Sequence, residues 1–237
     1  MVKILSYGGG VNSTAILALV KAGELEAPDY VVFSDTGAEW PHTYKYLEYM
    51  ELQGVRFIYL TGGSKEKTLI DYCNETKNIP SRVNRWCTDY WKRIPVGRFA
   101  RSFGEYEMWI GIDAGETNRA TNRKVRKEGN RFPLIELGIE REGCKAVIRQ
   151  AGWGVPQKSG CFLCPYQRVI QWITLKRDYP DLWRIAEGLE MRARRERPNF
   201  TLGSHGRTIN EVVAGREKQK TLDLDFNLDQ RCECYFD

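Results

Sequence analysis

Gly8-Gly9-Gly10-Val11-Asn12-Ser13-Thr14 (GGGVNST, residues 8–14) stands between a short apolar run, Val2 to Leu5, and a helical one, Ala15 to Val20. Three consecutive glycines leave the main chain bare of Cβ atoms at that point. A glycine-rich turn from a strand into a helix aims several backbone N–H groups at one place, and the helix N-terminus adds partial positive charge. Such a turn suits a phosphate, which reaches the amides because no side chain stands in the way. The stretch lacks the Gly-Lys-Ser/Thr ending of a Walker A loop and is not a GxGxxG fingerprint.

Outward from the loop, the first half of the chain alternates strand and helix. KILSY (3–7) reads as a strand ending at the glycines, and STAILALVKAGEL (13–25) as a helix opened by the cap residues Asn12, Ser13 and Thr14. DYVVFSDTG (29–37), VRFIYLTGG (55–63) and EMWIGIDAG (107–115) read as further strands. HTYKYLEYMELQG (42–54) carries Tyr44, Leu47 and Met50 at helical spacing. This alternation predicts an α/β fold, a doubly wound parallel sheet with helices on both faces. Ligands of such sheets bind beyond the C-terminal strand ends, and those ends here read GGGVNS, SDTGAE, LTGGS and GIDAGE. From Cys144 onward the alternation stops. YPDLWRIAEGLEMRARRER (179–197) is a helix with Leu182, Ile185, Ala186 and Leu189 on one face, and a last helix precedes an extended tail. The expected organisation is a nucleotide-binding domain over residues 1–143 and a helical, cysteine-containing region over 144–237.

Composition narrows the class. A charged fraction of 28%, a hydrophobic fraction of 42% and a net charge of +5 describe a soluble globular chain with room for an anionic ligand. No apolar stretch approaches the roughly eighteen residues of a membrane span, and the N-terminus has no secretory pattern, so the expectation is cytoplasmic. Seven cysteines in a reducing compartment argue against a disulfide framework. With His42 and His205 as the two histidines, a histidine-rich metal site is excluded and a Ser-His-Asp mechanism is disfavoured.

Four stretches carry a family resemblance. GGGVNS resembles the pyrophosphate-binding loop SGGxDS of the adenine nucleotide alpha-hydrolase-like (PP-loop ATP pyrophosphatase) superfamily, with Gly8 in place of Ser and Asn12 in place of the usual Asp. FSDTGAEWPHTYKYL (33–47), RWCTDYWKRIPV (85–96) and IGIDAGETNR (110–119) are similar, in order, to motifs of phosphoadenylyl-sulfate (PAPS) reductase-like proteins. The resemblance spans roughly residues 1–170. It implies that Ser6, Gly8, Gly9, Gly10, Asn12, Ser13 and Thr14 bind the phosphates of ATP or a related adenine nucleotide. It places Asp35, Thr36, Gly37 and Glu116 near the nucleotide or its Mg²⁺, and Arg119 on a phosphate or substrate anion; Asp35 and Arg119 become candidate catalytic residues. Locally, Asp35 also reads as a turn cap, and Glu116 with Arg119 as a surface ion pair.

Cys161 and Cys164 lie three residues apart between glycine and proline, a spacing that presents two thiolates to one metal centre. Cys87 and Cys144 are available to complete the set, and four thiolates without histidine suit a 4Fe–4S cluster or structural zinc. The resemblance favours the cluster, although cluster-bearing reductases have a Cys-Cys pair where this chain has Trp86-Cys87. In the tail, Glu233-Cys234 echoes the mobile Glu-Cys-Gly of sulfonucleotide reductases, with Tyr235 in place of glycine; this makes Cys234 a candidate nucleophile, beside Cys232. Arg119, Arg123, Lys124, Arg126, Lys127 and Arg131 cluster where a nucleic-acid backbone could run, while Arg192 to Arg197 read as a solvated helix face.

Three functions remain open on this reading. The leading one is ATP-dependent adenylation of a substrate, a nucleic acid being one candidate, with pyrophosphate release and sulfur transfer from a donor protein. The second is reduction of adenylyl sulfate or its phosphorylated form with a thiol reductant. The third is a nucleotide-binding protein with structural zinc and no turnover.

Overall fold

The computed structural model describes residues 1–62, 67–121 and 129–218. Five parallel strands, β1 (Val2–Ser6), β2 (Tyr30–Asp35), β3 (Phe57–Thr61), β4 (Tyr106–Ile110) and β5 (Asn130–Arg131), form one sheet in the order β3-β2-β1-β4-β5. The chain winds outward through β2 and β3, then returns to lay β4 on the other side of β1. The strand order therefore reverses between β1 and β4, where an open parallel sheet forms its ligand crevice.

Period-two alternation sends neighbouring residues to opposite faces. Leu5, Val31, Phe33 and Trp109 join one core with α1 (Val11–Lys21), α2 (Pro41–Leu52) and α8 (Arg141–Gln150). Ile4, Val32, Met108 and Ile110 join a second core with Val96 and Ala100 of α5 (Ile94–Arg101) on the opposite face. The sheet is thus doubly wound. Helix α1 is buried on every side from Val11 to Leu19, packed between the sheet and α8.

The start of α1 differs from the sequence reading. Its N-cap is Gly10, with no side-chain cap, and Asn12, Ser13 and Thr14 lie inside the first turn. The Ser13 and Thr14 hydroxyls donate back to the Gly10 carbonyl at 3.2 and 2.9 Å. Ser and Thr make such bonds inside helices as well as at caps, so their presence alone does not fix the boundary.

Around this frame lie α3 (Leu69–Thr76), capped reciprocally by Thr68 and Asp71, and α4 (Trp86–Thr88), which runs through a π-helical turn (Asp89–Arg93) into α5. Short helices α6 (Thr117–Ala120) and α7 (Pro133–Glu136) precede α8. Beyond it, α9 (Val169–Asp178), α10 (Pro180–Glu196) and α11 (Ile209–Lys218) build a third core with Trp40, Trp86, Trp91, Phe162 and Leu163. The 143/144 boundary expected from sequence falls inside α8, which packs on α1. Among the described residues no helix is long and apolar enough to cross a membrane. Cys232 and Cys234, with Arg123, Lys124, Arg126 and Lys127, lie outside the described residues.

The third core contains one buried carboxylate. Glu190 of α10 accepts from the Leu202 N–H at 2.6 Å and the Ile209 N–H at 3.0 Å, so it ties the start of α11 to α10. Burial raises its pKa, against the lowering effect of those N–H donors. The folded state therefore holds a proton that the unfolded state has lost, over the window between the ordinary glutamate value and the raised one. Stability falls as pH rises through that window and is level above it. Glu190→Ala strands two buried N–H groups and should cost about 3 kcal/mol in urea unfolding at neutral pH. A pH series should show the Glu190-dependent slope in the wild type and its loss in the variant.

Candidate active site

The three glycines have three different reasons to be glycine. Gly9 has φ +69°, the left-handed region, and a Cβ there would lie 3.0 Å from Thr43 Cγ2. A Cβ on Gly10 would lie 3.0 Å from Ser159 Oγ. A Cβ on Gly8 would meet nothing within 4 Å, because Gly8 opens onto a cleft at the C-terminal end of the sheet. Gly111, just after β4, is closed in from the other side: its Cβ would stand 2.8 Å from the Ser13 amide nitrogen. The end of β4 and the first turn of α1 therefore touch backbone to backbone.

The cleft encloses about 1410 Å³ including its open mouth. Ser6, Gly8, Gly10, Asn12 and Ser13 line its floor; the Ser13 hydroxyl also accepts from the Gly8 N–H at 3.3 Å. Thr36, Glu116 and Arg119 line it too, and Arg119 forms an ion pair with Glu116 inside it. Arg85, Lys92, Arg141 and Lys158 add positive charge, against Glu116 as the carboxylate among the described lining residues. Lys92 also pairs, at 3.1 Å, with the buried Glu39, which accepts from the Thr36 hydroxyl at 3.0 Å. The cleft is electropositive, as an anion site requires.

Four expected phosphate or nucleotide residues, Gly9, Thr14, Asp35 and Gly37, are not among those that line the cleft. Thr14 is fully buried, its hydroxyl between the Gly10 carbonyl and Tyr7 Oη, 2.9 Å from each, where it anchors α1 to β1. Asp35 accepts from the Gly37 N–H and from Tyr44 Oη, both at 2.8 Å, and so closes the turn after β2. Gly37 has φ +67°, and its Cβ would overlap Thr68. Of the two readings open for Asp35 in the sequence, its contacts are those of the turn cap.

Cys87, Cys161 and Cys164 line the same cleft. The Cys161–Cys164 turn is fastened to the segment after β2: Glu39 bridges to Cys161, and the Phe162 N–H donates to the Ala38 carbonyl at 2.9 Å. Within the turn the Leu163 N–H points at Cys161 Sγ, 3.3 Å away, and the Cys164 N–H closes on the Cys161 carbonyl at 3.1 Å. Burial drives the Cys161 thiol well above its ordinary pKa, with Glu39 and Cys87 adding to the rise. Cys87 is raised by burial as well. Among the described residues no three Cys, His, Asp or Glu side chains converge closely enough to hold a single metal ion.

The structure does not bring Cys144 to this group. It is fully buried on the face of α8 that packs on α1, one turn before Ile148, and its thiol is pushed up to about 12 by burial and by Asp113. The charged groups acting on it are Asp113, Arg141 and Glu116, whereas Cys161 responds to Glu39, Cys87 and Lys92. The four-residue spacing to the apolar Ile148 was the sequence signal for a core thiol.

Arg85, Lys92, Lys158, Asp113 and Arg141 were missed. Asp113 and Arg141 flank the Asn12 amide, which donates to Asp113 Oδ2 at 3.0 Å and accepts from Arg141 Nη1 at 2.9 Å. Asp113 lies in IGIDAGETNR (110–119), a stretch singled out for Glu116 and Arg119.

No family model matches the chain. The uncharacterized protein MJ0066 of Methanocaldococcus jannaschii is 28% identical over 197 residues, which cover 76% of this chain and 39% of that protein. The chain thus spans about two fifths of that relative. Among solved structures, phosphoadenylyl-sulfate reductase from Candida auris, in a phosphate complex, aligns with a TM-score of 0.51 and 13% identity over 65% of this chain and 75% of the other. The U34-tRNA thiolase NcsA from Methanococcus maripaludis, with its [4Fe-4S] cluster, aligns over 99% of this chain and 79% of its own at 12% identity and a TM-score of 0.49, too loose to bear on function. The chain has the fold of PAPS reductase, an adenine nucleotide alpha-hydrolase-like fold.

Gly8 and Gly9 should respond in opposite ways to a side chain. Gly8→Ser, which restores the residue of the related motif, should leave stability within about 0.5 kcal/mol of the parent, because the new atoms enter open space. Gly9→Ala should cost at least about 1 kcal/mol through its positive φ and the Thr43 contact. Urea unfolding of both variants checks the pair.

Proposed function

We propose that the protein is a cytoplasmic enzyme that binds an adenine nucleotide, ATP in the first instance, and adenylates an oxygen of its substrate for sulfur transfer. The observation that carries this reading is that the glycine loop and three thiols face one electropositive cleft at the β1/β4 switch point. The substrate oxygen attacks the α-phosphorus, the bond from that phosphorus to the α–β bridging oxygen breaks, and pyrophosphate leaves with the electron pair. A sulfur nucleophile, brought by a donor protein, then bonds to the activated carbon as AMP departs. The chain's own contribution is positioning and charge neutralisation. The glycine loop and Ser13 would receive the phosphates, and Arg119 lines the same cleft. Mg²⁺ would be held chiefly by phosphate oxygens and water, with Glu116 the carboxylate among the described lining residues, in keeping with its usual coordination. The basic lining suits a nucleic-acid substrate.

Cys87, Cys161 and Cys164 would hold a 4Fe–4S cluster. The three thiols share one cleft, and the Leu163 N–H on Cys161 Sγ is the kind of contact that steadies a thiolate ligand. When bound, a cluster of this kind supplies iron and sulfide beside the nucleotide. Cys144 stays outside the set.

The shared fold favours one second reading, reduction of a sulfonucleotide. There the Cys234 thiolate bonds to sulfur as the nucleotide phosphate leaves, and a thiol reductant then releases sulfite.

Anaerobic purification followed by iron, sulfide and zinc analysis tests the metal assignment. Iron is expected, reduced by more than about half in Cys87→Ser, Cys161→Ser or Cys164→Ser and unchanged in Cys144→Ala. A zinc protein without iron overturns the cluster. Pyrophosphate release from ATP supports adenylation, whereas sulfite release from a sulfonucleotide without ATP cleavage transfers the case to the second reading.

A further inference from the structure

We propose that Arg141 is the residue that meets the phosphate charge in the cleft, and that Asp113 and Asn12 form a relay that leaves its charge available. This rests on the reading of the cleft as a phosphate site. Asn12 and Asp113 are 7% and 2% exposed, so their side-chain bonds are shielded from water. Asp113 Oδ1 accepts from the Gly115 N–H at 3.0 Å, and its Oδ2 accepts from Asn12 Nδ2 at 3.0 Å. An ionised carboxylate can only accept, so the Asn12 amide must turn its NH₂ toward Asp113 and its oxygen away. That oxygen receives Arg141 Nη1 at 2.9 Å. The orientation of the amide is therefore dictated by its two neighbours rather than chosen between equivalent flips.

The consequence is electrostatic. Arg141 is steered by a neutral carbonyl oxygen, with the compensating carboxylate one full amide further off. Its guanidinium lines the cleft beside Ser13, and its Nε is buried with no hydrogen-bond partner among the described residues. A guanidinium in a cleft of this charge matches phosphate oxygens in geometry and in sign. An aspartate at position 12 would lie against Asp113 and would pair with Arg141, cancelling the charge. The departure of this loop from its related motif thus has a function: position 12 is neutral so that Arg141 can serve the ligand.

The test separates a charge role from a tether between α8 and α1. Titration calorimetry on the full chain would use inorganic pyrophosphate and ATP as probes, against wild type, Arg141→Gln, Arg141→Lys and Asn12→Asp, with thermal unfolding of each. Glutamine removes the charge, and its amide nitrogen reaches only the Nε position, short of Asn12 Oδ1, so thermal unfolding reads the lost tether separately from the lost charge. Arg141→Gln is expected to unfold like the wild type and to bind pyrophosphate at least about tenfold more weakly, with Arg141→Lys recovering part of the loss. Asn12→Asp is expected to lose a similar factor, and to add less than about twofold when placed in the Arg141→Gln background. Pyrophosphate binding by Arg141→Gln within twofold of wild type, or additive losses in the double variant, overturns the proposal. Wild-type binding of pyrophosphate without ATP sinks the nucleotide reading and leaves Arg141 standing. Binding of ATP undiminished in Arg141→Gln does the reverse, and a wild type that binds neither overturns both.

Discussion

The contact between the end of β4 and the first turn of α1 is the constraint on which the rest of the site depends. A parallel sheet opens its crevice where the strand order reverses, and here that reversal lies between β1 and β4. Gly111 lets the two backbones meet, since a Cβ would stand 2.8 Å from the Ser13 nitrogen. That approach brings Asp113 within reach of Asn12, and Glu116 and Arg119 into the lining of the same cleft. A bulkier residue at 111 would separate the two halves of the crevice before it touched any ligand.

A second fastening brings in the thiols. The turn at Cys161–Cys164 is laid along the segment after β2 by backbone bonds between Phe162 and Ala38 and between Trp40 and Gly160. Cys87 arrives from the other direction, on the helical stretch whose π-helical turn directs the Trp91 carbonyl to the Ser34 hydroxyl at the end of β2. The third core, rich in tryptophan, packs behind both. The C-terminal helices thereby back the wall that carries the thiols without lining the cleft themselves.

Much of this was legible in the chain. The alternation of strand-like and helix-like runs through the first half pointed to the doubly wound sheet, and the structure puts Leu5 and Trp109 on one face and Ile4 and Met108 on the other. The glycines and the strand-end turns located the cleft. What sequence could not separate were residues of one chemical type facing different ways. Ser13 faces the cleft and Thr14 the core, one residue apart in the same helix. Cys161 and Cys144 differ likewise, one on a turn and one on the packed face of α8. Asp113 and Arg141 were missed because their meaning lies in Asn12, 101 and 129 residues away, and periodicity carries no such pairing.

The burial of α1 on every side has one more consequence. Many phosphate loops are surface segments that an arriving anion must order, and part of the binding free energy is lost in doing so. Here the proposed phosphate cradle is the first turn of a helix buried from Val11 to Leu19, pinned by Thr14 to Tyr7 and to Gly10. Its amide groups are held by the same packing that holds the core. The site is therefore preorganised, and its entropy cost was met when the chain folded.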